Sequence, residues 1–483
     1  MKPAPCHSRP PARRAAAAGA FALALLLGAC SAQPPMPPLH TPMPAAYSAT
    51  AQGWHPAPRQ AAMPASGAWW KVFGDPTLDS LERQLLQHNQ SLAAQLAVYE
   101  QAQASLQQAR AAYAPVIGAT AGASRSAAAG PATAPQNQLD AQLQASWEPD
   151  LWGRVRLQVQ AGRATLQASA DTLRYTRLSL QANLAQSYLQ LRVVDAQLRL
   201  ADSTVRDYTR ALQLTRSRYA AGVDTAADVA QARTQLLQAQ TSRTDLEVTR
   251  KQLLDAVAVL AGQPAPDFTI AARAGLPSLP SIPAGVPAEL LLRRPDLGAA
   301  LQQVEAANAQ IGVAQRAWLP NLTLGASGGS QAATLAQLFS APSLYWSLGP
   351  SLAATLFDGG LRSAQLASSR AAYRQTVATY RQDVLLAMQQ VEDNLAAQGI
   401  LRVEARQQAE VVQAADVSLR LALNQYKAGT ASYLNVITAQ TTATTARNAV
   451  LTLRGRRYTA AVQLIAALGG DWAGAPAPSA PGH

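Results

Sequence analysis

A seven-residue hydrophobic repeat is the most regular pattern along this chain of 483 residues. The residues on it are Leu184, Leu191, Leu198, Val205, Leu212 and Tyr219, with Ser187, Val194, Ala201, Tyr208 and Thr215 at the intervening three–four spacing. Apolar and small residues at this spacing predict a coiled-coil seam between closely packed helices. A second series keeps the repeat less regularly, because Gln398 falls between its members Val391, Val412, Leu419 and Tyr426.

Proline positions limit how long these helices can be. No proline lies between Pro149 and Pro264, and none lies between Pro350 and Pro476. Because proline costs about 3 kcal/mol inside a helix, only these two stretches can hold very long helices. A helix over residues 154–219 would be about 100 Å long.

A glycine interrupts each proline-free stretch, Gly222 in the first and Gly429 in the second. A helical pattern of apolar residues and glutamine resumes directly after each glycine. Glycine readily adopts the left-handed conformation that ends a helix. Each glycine therefore predicts the turn of a helical hairpin.

A second kind of pattern, strict alternation, precedes each long helix. Apolar residues alternate with polar or small ones at Leu139, Ala141, Leu143, Ala145 and Trp147, and again at Trp346, Leu348, Leu352 and Leu356. Alternation over about ten residues is typical of a transmembrane barrel strand with a wet interior, although a half-buried soluble sheet alternates in the same way. The predicted strands are 113–124, 138–149, 316–329 and 344–357.

Four strands in one chain imply an oligomer if they lie in a membrane. Open sheet edges are not tolerated in lipid, and four strands are too few to close a barrel. Two copies would form eight strands with a filled interior, whereas three would form twelve strands around a lumen. The strand count alone leaves both numbers open.

The chain also repeats itself at a spacing of about 205 residues. The matched segments are 110–115 with 315–320, 218–222 with 425–429, and 260–262 with 468–470. Each copy has the order helix, two strands, long helical hairpin, which predicts two structural repeats. The predicted organisation is repeat 1 at 67–263, a proline-rich connector at 264–296, repeat 2 at 297–472 and a disordered tail at 473–483.

Composition narrows the possible classes of protein. Apolar residues make up 48% of the chain but aromatic residues only 5%, so alanine and leucine dominate and favour helices. Of the net charge of +12, four positive charges lie in residues 1–29, at Lys2, Arg9, Arg13 and Arg14, which leaves +8. The remaining arginines are spread singly along helices, which indicates solvated helix faces rather than nucleic-acid binding. No apolar run long enough for a transmembrane helix occurs beyond the N-terminus.

The N-terminus predicts export and lipid attachment. Residues 1–14 are basic, residues 15–28 are apolar, and Ala29 precedes Cys30. This order predicts a signal peptide at 1–29, and its end resembles the lipobox of bacterial lipoproteins. The chain's two cysteines are Cys6 and Cys30, so the mature protein can form no disulfide. We expect a covalent lipid on Cys30 and a lipid-anchored tether rich in proline and alanine at 30–66.

Several segments then resemble one family. The run from Leu290 through Arg294-Pro295-Asp296 to Pro320 resembles the mid-chain signature of the TolC-like outer-membrane factors. Residues 147–156 and 356–362 resemble the strand-to-helix corners of that family. The resemblance covers about residues 68–470 and is narrowest to the lipoprotein branch, typified by NodT and OprM, of RND-type efflux systems.

The resemblance implies a mixed α and β membrane protein. Three copies would form a homotrimeric twelve-stranded β-barrel, four strands per chain, continuous with a long periplasmic α-helical coiled-coil barrel. The chain would be the outer-membrane channel of a tripartite efflux system, anchored in outer-membrane lipid and extending into the periplasm. Its partners would be a periplasmic adaptor protein and an inner-membrane pump, usually of the RND type, and its substrates drugs or other small toxic compounds.

The resemblance also implies working residues at the hairpin tips. A latch between Asp228 and Tyr426 would hold the closed state, as an aspartate–tyrosine pair does in relatives. Asn435 and Thr438 stand where relatives can carry an acidic ring. The residues expected to contact the adaptor are Tyr219, Gly222, Val223, Thr225, Tyr426, Gly429 and Thr430.

Other functions explain the residues less well. Residues 325–329 match the letters of a hydrolase nucleophile elbow, but the only downstream histidine is His483. The chain has neither a phosphate-binding loop nor a metal-ligand spacing, so we expect no catalysis and no cofactor beyond the lipid. The main alternative is a periplasmic membrane-fusion adaptor lipoprotein, which should carry one hairpin instead of two. A filament-like periplasmic coiled coil would leave the alternating strands unexplained.

Overall fold

The computed structural model describes residues 67–127, 135–273, 275–280, 282 and 293–470. The predicted signal peptide, Cys30, the tether at 30–66 and the tail at 473–483 lie outside the described residues.

Helices make up most of the described chain, and one group of strands lies in each half. The elements in chain order are α1 (Pro76–His88), α2 (Gln90–Ala111), β1 (Val116–Ser126), β2 (Gln136–Trp147), α3 (Arg154–Ala220), α4 (Ala226–Leu260), α5 (Pro295–Arg316), β3 (Asn321–Ala332), β4 (Leu344–Ala353), α6 (Leu361–Lys427) and α7 (Tyr433–Ala467).

The two predicted helical hairpins are confirmed, each with a 67-residue helix followed by one of 35 residues. In the first hairpin Asp195 pairs with Arg250, and Asp202, seven residues later, pairs with Arg243, seven residues earlier. The two helices therefore run antiparallel, and their contacts follow the predicted seven-residue repeat.

Burial along α3 agrees with most of that repeat. Leu184 and Leu191 are fully buried, and Leu212 is nearly so. Tyr219 departs from the prediction because its side chain is 51% exposed at the last turn of the helix. The seam therefore ends one heptad before the tip.

Four predicted strands are also confirmed, in one antiparallel sheet with the order β1-β2-β3-β4. The strand β3 begins at Asn321 instead of residue 316, because α5 continues to Arg316. The Arg316 side chain donates to the backbone oxygens of Trp152 and Gly312, which holds this helix end against the neighbouring corner. The strand β4 ends at Ala353, short of the predicted 357.

The chain divides into two compact units. The first, here called the sheet unit, includes the described residues of 99–169 and 299–380, and thus the whole sheet. The second, here called the hairpin unit, includes the described residues of 67–98, 170–298 and 381–470, and thus both hairpin turns.

A buried ion-pair network holds the segment that follows α4 within the hairpin unit. Asp195 is fully buried and accepts from Arg192 at 2.8 Å and from Arg250 at 2.7 Å. The same two arginines donate to the backbone oxygens of Ala271 and Ile270, each at 2.9 Å. These contacts tie residues 270–271 to the first hairpin.

The mid-chain signature has a similar structural role. Arg294 is buried and makes a two-pronged contact with Asp296. It also donates to the Gln390 side chain at 3.0 Å and to the backbone oxygen of Ala467 at 3.2 Å. Arg294 therefore joins the start of α5 to α6 and to the end of α7. No helix in the described ranges is both long and apolar enough to cross a membrane.

Candidate functional site: the amphipathic sheet and the hairpin tips

The register of the sheet sorts its side chains onto two faces. Ile117 is paired with Ala145, Ala145 with Ala326, and Ala326 with Leu348, so these four residues form one row on one face. The other rows follow the same register, so almost all side chains on this face are apolar or small. Its larger side chains are Ile117, Leu139, Leu143, Trp147, Leu322, Leu324, Leu344, Trp346, Leu348 and Leu352.

The opposite face is polar. Its side chains are mostly amides and hydroxyls from all four strands, with a single carboxylate at Asp140. Glycines leave room for the larger polar groups: a Cβ at Gly122 would lie 2.8 Å from an oxygen of Asp140. The main polar side chains on this face are Thr120, Gln138, Asp140, Gln142, Gln144, Thr323, Ser327, Gln331, Tyr345 and Ser347.

Aromatic side chains surround the end of the sheet where the strands meet the helices. Trp147 donates its indole N–H to the backbone oxygen of Tyr113 at 3.0 Å. Trp318 lies under the Arg362 guanidinium, whose carbon is 4.9 Å from the ring centre. Tyr113, Trp318 and Phe357 are exposed. Aromatic residues in such a girdle are typical of a membrane–water interface.

Aspartates build the corners between strands and helices. Asp150 accepts from the backbone N–H groups of Val155 at 3.0 Å and Arg156 at 2.8 Å, so it caps α3. Asp358 accepts from the backbone N–H of Gly360 at 3.0 Å and from the Arg362 side chain at 2.6 Å. These contacts lower the pKa of the Asp358 carboxyl, chiefly through the hydrogen bond from Arg362. The carboxylate therefore stays charged and holds the start of α6.

Residues 325–329, which resemble a nucleophile elbow in their letters, lie inside β3. A nucleophile elbow needs a sharp turn between a strand and a helix. Ser327 is instead paired with Gln144 and Ser347 in the middle of the sheet. In the ranges that the structure describes, no group of three or more His, Cys, Asp or Glu side chains could hold a metal ion.

The first hairpin tip is a glycine turn with its own cap. Gly222 has a φ of 74°, and the backbone N–H of Val223 donates to the Arg218 oxygen at 2.9 Å. Since nothing lies within 4 Å of a Cβ placed at Gly222, the backbone conformation, not crowding, favours glycine there. Thr225 and Asp228 then form a capping box that starts α4.

The second tip repeats the backbone geometry. Gly429 has a φ of 75°, and the backbone N–H of Thr430 donates to the Gln425 oxygen at 3.0 Å. Ser432, the residue before α7, makes no capping hydrogen bond with its side chain among the contacts described.

Tyr426 connects the two tips. Its hydroxyl donates to Asp224 Oδ2 and lies 3.3 Å from the Thr215 hydroxyl. The Arg218 Nε donates to both Asp224 oxygens, at 3.1 and 3.2 Å, and its guanidinium carbon is 4.5 Å from the Tyr426 ring centre. Tyr433 packs against the same ring at 5.4 Å. The group of Thr215, Arg218, Asp224 and Tyr426 is here called the tip cluster.

Burial gives the tip cluster its electrostatic character. Burial, followed by the hydrogen bond to Asp224, raises the pKa of Tyr426 to about 12. Burial likewise raises the pKa of Tyr433 to about 12. Both phenols are therefore neutral across the physiological range, and Tyr426 can donate its proton to the carboxylate.

The aspartate that contacts Tyr426 is Asp224 and not the predicted Asp228. Asp228 instead accepts from the Thr225 hydroxyl at 2.6 Å and the Thr225 backbone N–H at 3.0 Å, and these bonds lower its pKa. The turn at Gly222 brings Asp224 back beside Arg218, which sequence spacing did not reveal. The available signal was Arg218 and Asp224, opposite charges on the two sides of the turn.

The other predicted tip residues lie at the surface of the two turns. Tyr219 and Val223 are exposed apolar side chains, and Gly222, Thr225, Gly429 and Thr430 are exposed as well. Exposed apolar groups of this kind are typical of surfaces that contact another molecule.

Comparison with known proteins identifies the family. The family described as "Outer membrane efflux protein" matches residues 81–263 and 286–470. The pyoverdine export outer membrane protein OpmQ of Pseudomonas aeruginosa is 35% identical over 460 residues, covering 93% of this chain and 95% of that protein. The toluene efflux pump outer membrane protein TtgC of Pseudomonas putida is 31% identical over 460 residues, covering 93% and 94%.

Solved structures agree with the sequence comparisons. The outer-membrane channel OprN is 29% identical and superposes with a TM-score of 0.84, covering 92% of this chain and all of that chain. The outer membrane protein VceC of Vibrio cholerae is 28% identical with a TM-score of 0.76, covering 85% of this chain and all of that one. The chain belongs to the outer membrane efflux protein family.

Proposed function

We propose that three copies of this chain form a passive duct through the outer membrane. Each copy would contribute β1–β4 to a twelve-stranded barrel, and the two hairpins of each copy would continue it as a periplasmic α-helical barrel. The two halves of the chain would be structural repeats of one plan. Family membership favours this function over that of a periplasmic adaptor.

The observation that carries the proposal is the four-stranded amphipathic sheet with two free edges. Its strands are 10 to 12 residues long, which matches the 9 to 11 or so residues that a tilted strand needs to cross a bilayer. One face is apolar and the other is lined by amides and hydroxyls. Such a sheet suits lipid on one side and water on the other, provided that further copies complete its edges.

Three copies are favoured over two by the side chains of the polar face. Eight strands leave an interior that side chains fill, whereas twelve leave a lumen. Hydrated glutamine and serine side chains need that lumen, because packing them against each other without water would leave polar groups unsatisfied. The duct would perform no chemistry and need no cofactor other than the lipid expected on Cys30.

The hairpin tips would form the periplasmic entrance. The tip cluster would hold the entrance narrow, and the exposed turns around Tyr219, Val223 and Thr430 would receive a periplasmic adaptor linked to an inner-membrane pump, usually of the RND type. Relatives are named for the export of pyoverdine, toluene and antibiotics. We infer that the cargo here is also a small organic compound that a pump delivers to the duct.

Purified protein in planar bilayers tests this function. We expect discrete single-channel conductance steps from a trimer, with the trimer mass measured in the same detergent. A protein that stays monomeric and fails to conduct would contradict the duct. A Cys30→Ser variant that still carries covalently bound fatty acid would contradict the lipid anchor at Cys30.

A further inference from the structure

Unpartnered apolar side chains lie at both free edges of the sheet, at the end nearest the helices. After β4, Leu356 is 95% exposed and Phe357 is 89% exposed. At the start of β1, Val116 is 71% exposed and Ile117 is 73% exposed. Large apolar groups exposed at this level are typical of surfaces that another molecule covers.

The stagger of the strands shows which residues the two edges would bring together. Across the sheet, Val116 is level with Ser146, Gly325 and Gly349. The ladder between β3 and β4 nevertheless continues four residues further towards the helices, to the pair of Asn321 and Ala353. The strand ends therefore descend from β1 to β4.

A closed barrel continues this descent into the next copy. With strands about 4.8 Å apart and tilted by about 40°, the shift is about 1.2 residues per strand, or about five residues over four strands. The residue level with Val116 of the next copy is then about 354. Leu356 and Phe357 lie directly below that point, beside the corner that precedes β1.

We propose that Leu356 and Phe357 of one copy pack against Tyr113, Val116 and Ile117 of the next copy and seal each seam of the trimer. The inference rests on the proposed trimeric duct and names the contact that closes it. Backbone hydrogen bonds between β4 of one copy and β1 of the next would by themselves close the barrel. The apolar contact would exclude water where each seam leaves the bilayer.

The corner inside the sheet supports a second copy as the partner. Where β2 turns into α3, the Trp152 indole donates to the backbone oxygen of Pro320 at 2.6 Å. Pro320 directly precedes β3, the strand next to β2. The corner after β4 contacts its own chain on the β3 side, where Arg362 lies over Trp318, but its other side faces no strand of the described sheet, because β4 is an edge strand. In the trimer its neighbour is the corner before β1 of the next copy, where Pro115 matches Pro320 in the sequence repeat.

Serine substitutions separate this contact from a contact with lipid. In the double variant Leu356→Ser, Phe357→Ser, we expect the ratio of detergent-resistant trimer to monomer to fall at least tenfold. The matched control is Leu151→Ser, which changes a 54% exposed side chain in the corner between β2 and α3. This corner follows an interior strand and lies at neither free edge of the sheet. The control should keep the wild-type trimer fraction. A double variant that stays fully trimeric would overturn the proposal, as would equal loss in the control.

Chemical cross-linking tests the contact even if the serine variant folds poorly. A variant with both Tyr113→Cys and Phe357→Cys is treated with a short bis-maleimide and compared with the two single variants. We expect covalent dimers and trimers only from the double variant, because β1 and β4 of one chain are three strand spacings, about 14 Å, apart. A trimer that yields no intermolecular product would overturn the seam but not the duct. A wild-type protein that is monomeric would overturn both.

Discussion

The first hairpin tip carries its own stabilising contacts, whereas the second depends on side chains of the first. At the first tip, Thr225 and Asp228 cap α4, and Arg218 pairs with Asp224 across the turn. At the second tip, Ser432 makes no capping bond among the contacts described. The second tip has a local side-chain bond, from the Thr430 hydroxyl to the Gln425 backbone oxygen at 3.1 Å. Its buried polar contacts are those of Tyr426 with Asp224 and Thr215 of the first tip.

The difference indicates which of the two tips should open first. Both turns have nearly the same backbone, since Gly222 and Gly429 have φ values of 74° and 75°. The two turns therefore differ in stability chiefly through their side chains. The second tip should be released first when the tip cluster is broken, while the first tip stays folded through its local cap.

The largest effect should follow Asp224→Ala. Its side chain is 7% exposed and holds both Arg218 and Tyr426, so its loss leaves a largely buried arginine unpaired at a cost of about 3 kcal/mol. We expect hydrogen exchange at residues 426–433 to speed up strongly and single-channel conductance to rise. Residues 225–230 should keep their protection. Equal loss at both tips would contradict the comparison.

Alkaline pH should have the next largest effect. Folding holds the pKa of Tyr426 at about 12, above the ordinary value of 10. A raised pKa means that the contact is fully present below about pH 10 and is lost as the pH rises through about 12. Conductance should rise in that range, because the phenolate then repels the Asp224 carboxylate. Tyr426→Phe is the control, and its conductance should not respond to the titration of this site.

Tyr426→Phe itself should have a moderate effect. The ring keeps its packing against Tyr433, and only the hydroxyl contacts to Asp224 and Thr215 are lost. One such bond contributes about 1 kcal/mol, so single-channel conductance should rise by less than with Asp224→Ala. Unchanged conductance would show that the tip cluster is not a latch.

The smallest effect on conductance should come from Asp228→Asn. The change weakens the capping box at Thr225 and frays the first turn of α4 by about 1 kcal/mol. Because Asp228 does not contact Tyr426 in this structure, the closed state should persist. Hydrogen exchange should accelerate at residues 226–229 only. A rise in conductance equal to that of Tyr426→Phe would restore Asp228 as the latch residue.

Acid should reproduce the Asp228→Asn effect in the wild-type protein. The hydrogen bonds from Thr225 lower the pKa of Asp228. A lowered pKa means that the cap is fully present above the ordinary value of 3.8 and is lost as the pH falls through the folded value. Exchange at residues 226–229 should therefore accelerate only in acid, opposite to the alkaline release expected at Tyr426.

Local rules predicted the elements well. Proline-free stretches predicted the helix over 154–219, and the structure has α3 at Arg154–Ala220. Alternation predicted β2 and β4, because the spacing of two is a property of each strand by itself, and the repeated order of elements in the two copies predicted the other two strands. The errors lie at element ends, as at β3, whose start depends on Arg316 reaching the backbone of Trp152, 164 positions away in the chain.

Side-chain pairing at the tips was harder to predict than the turns. Gly222 and Gly429 were recognisable because a left-handed backbone favours glycine whatever surrounds it. The choice between Asp224 and Asp228 was not, because both lie within six residues of the turn. Asp228 lies three residues after Thr225, at the capping-box spacing, so its carboxylate bonds to Thr225 instead of to Tyr426.

The long hairpins, the amphipathic strands and the positions of the turns were therefore predictable from the sequence, since each follows from local periodicity and backbone preference. Three features required the folded chain: the membership of the tip cluster, the contacts by which Arg192, Asp195 and Arg250 hold the segment after α4, and the apolar groups left uncovered at the sheet edges. These features join residues far apart in the chain. Their partners are chosen by packing, burial and charge in three dimensions, which no local pattern encodes.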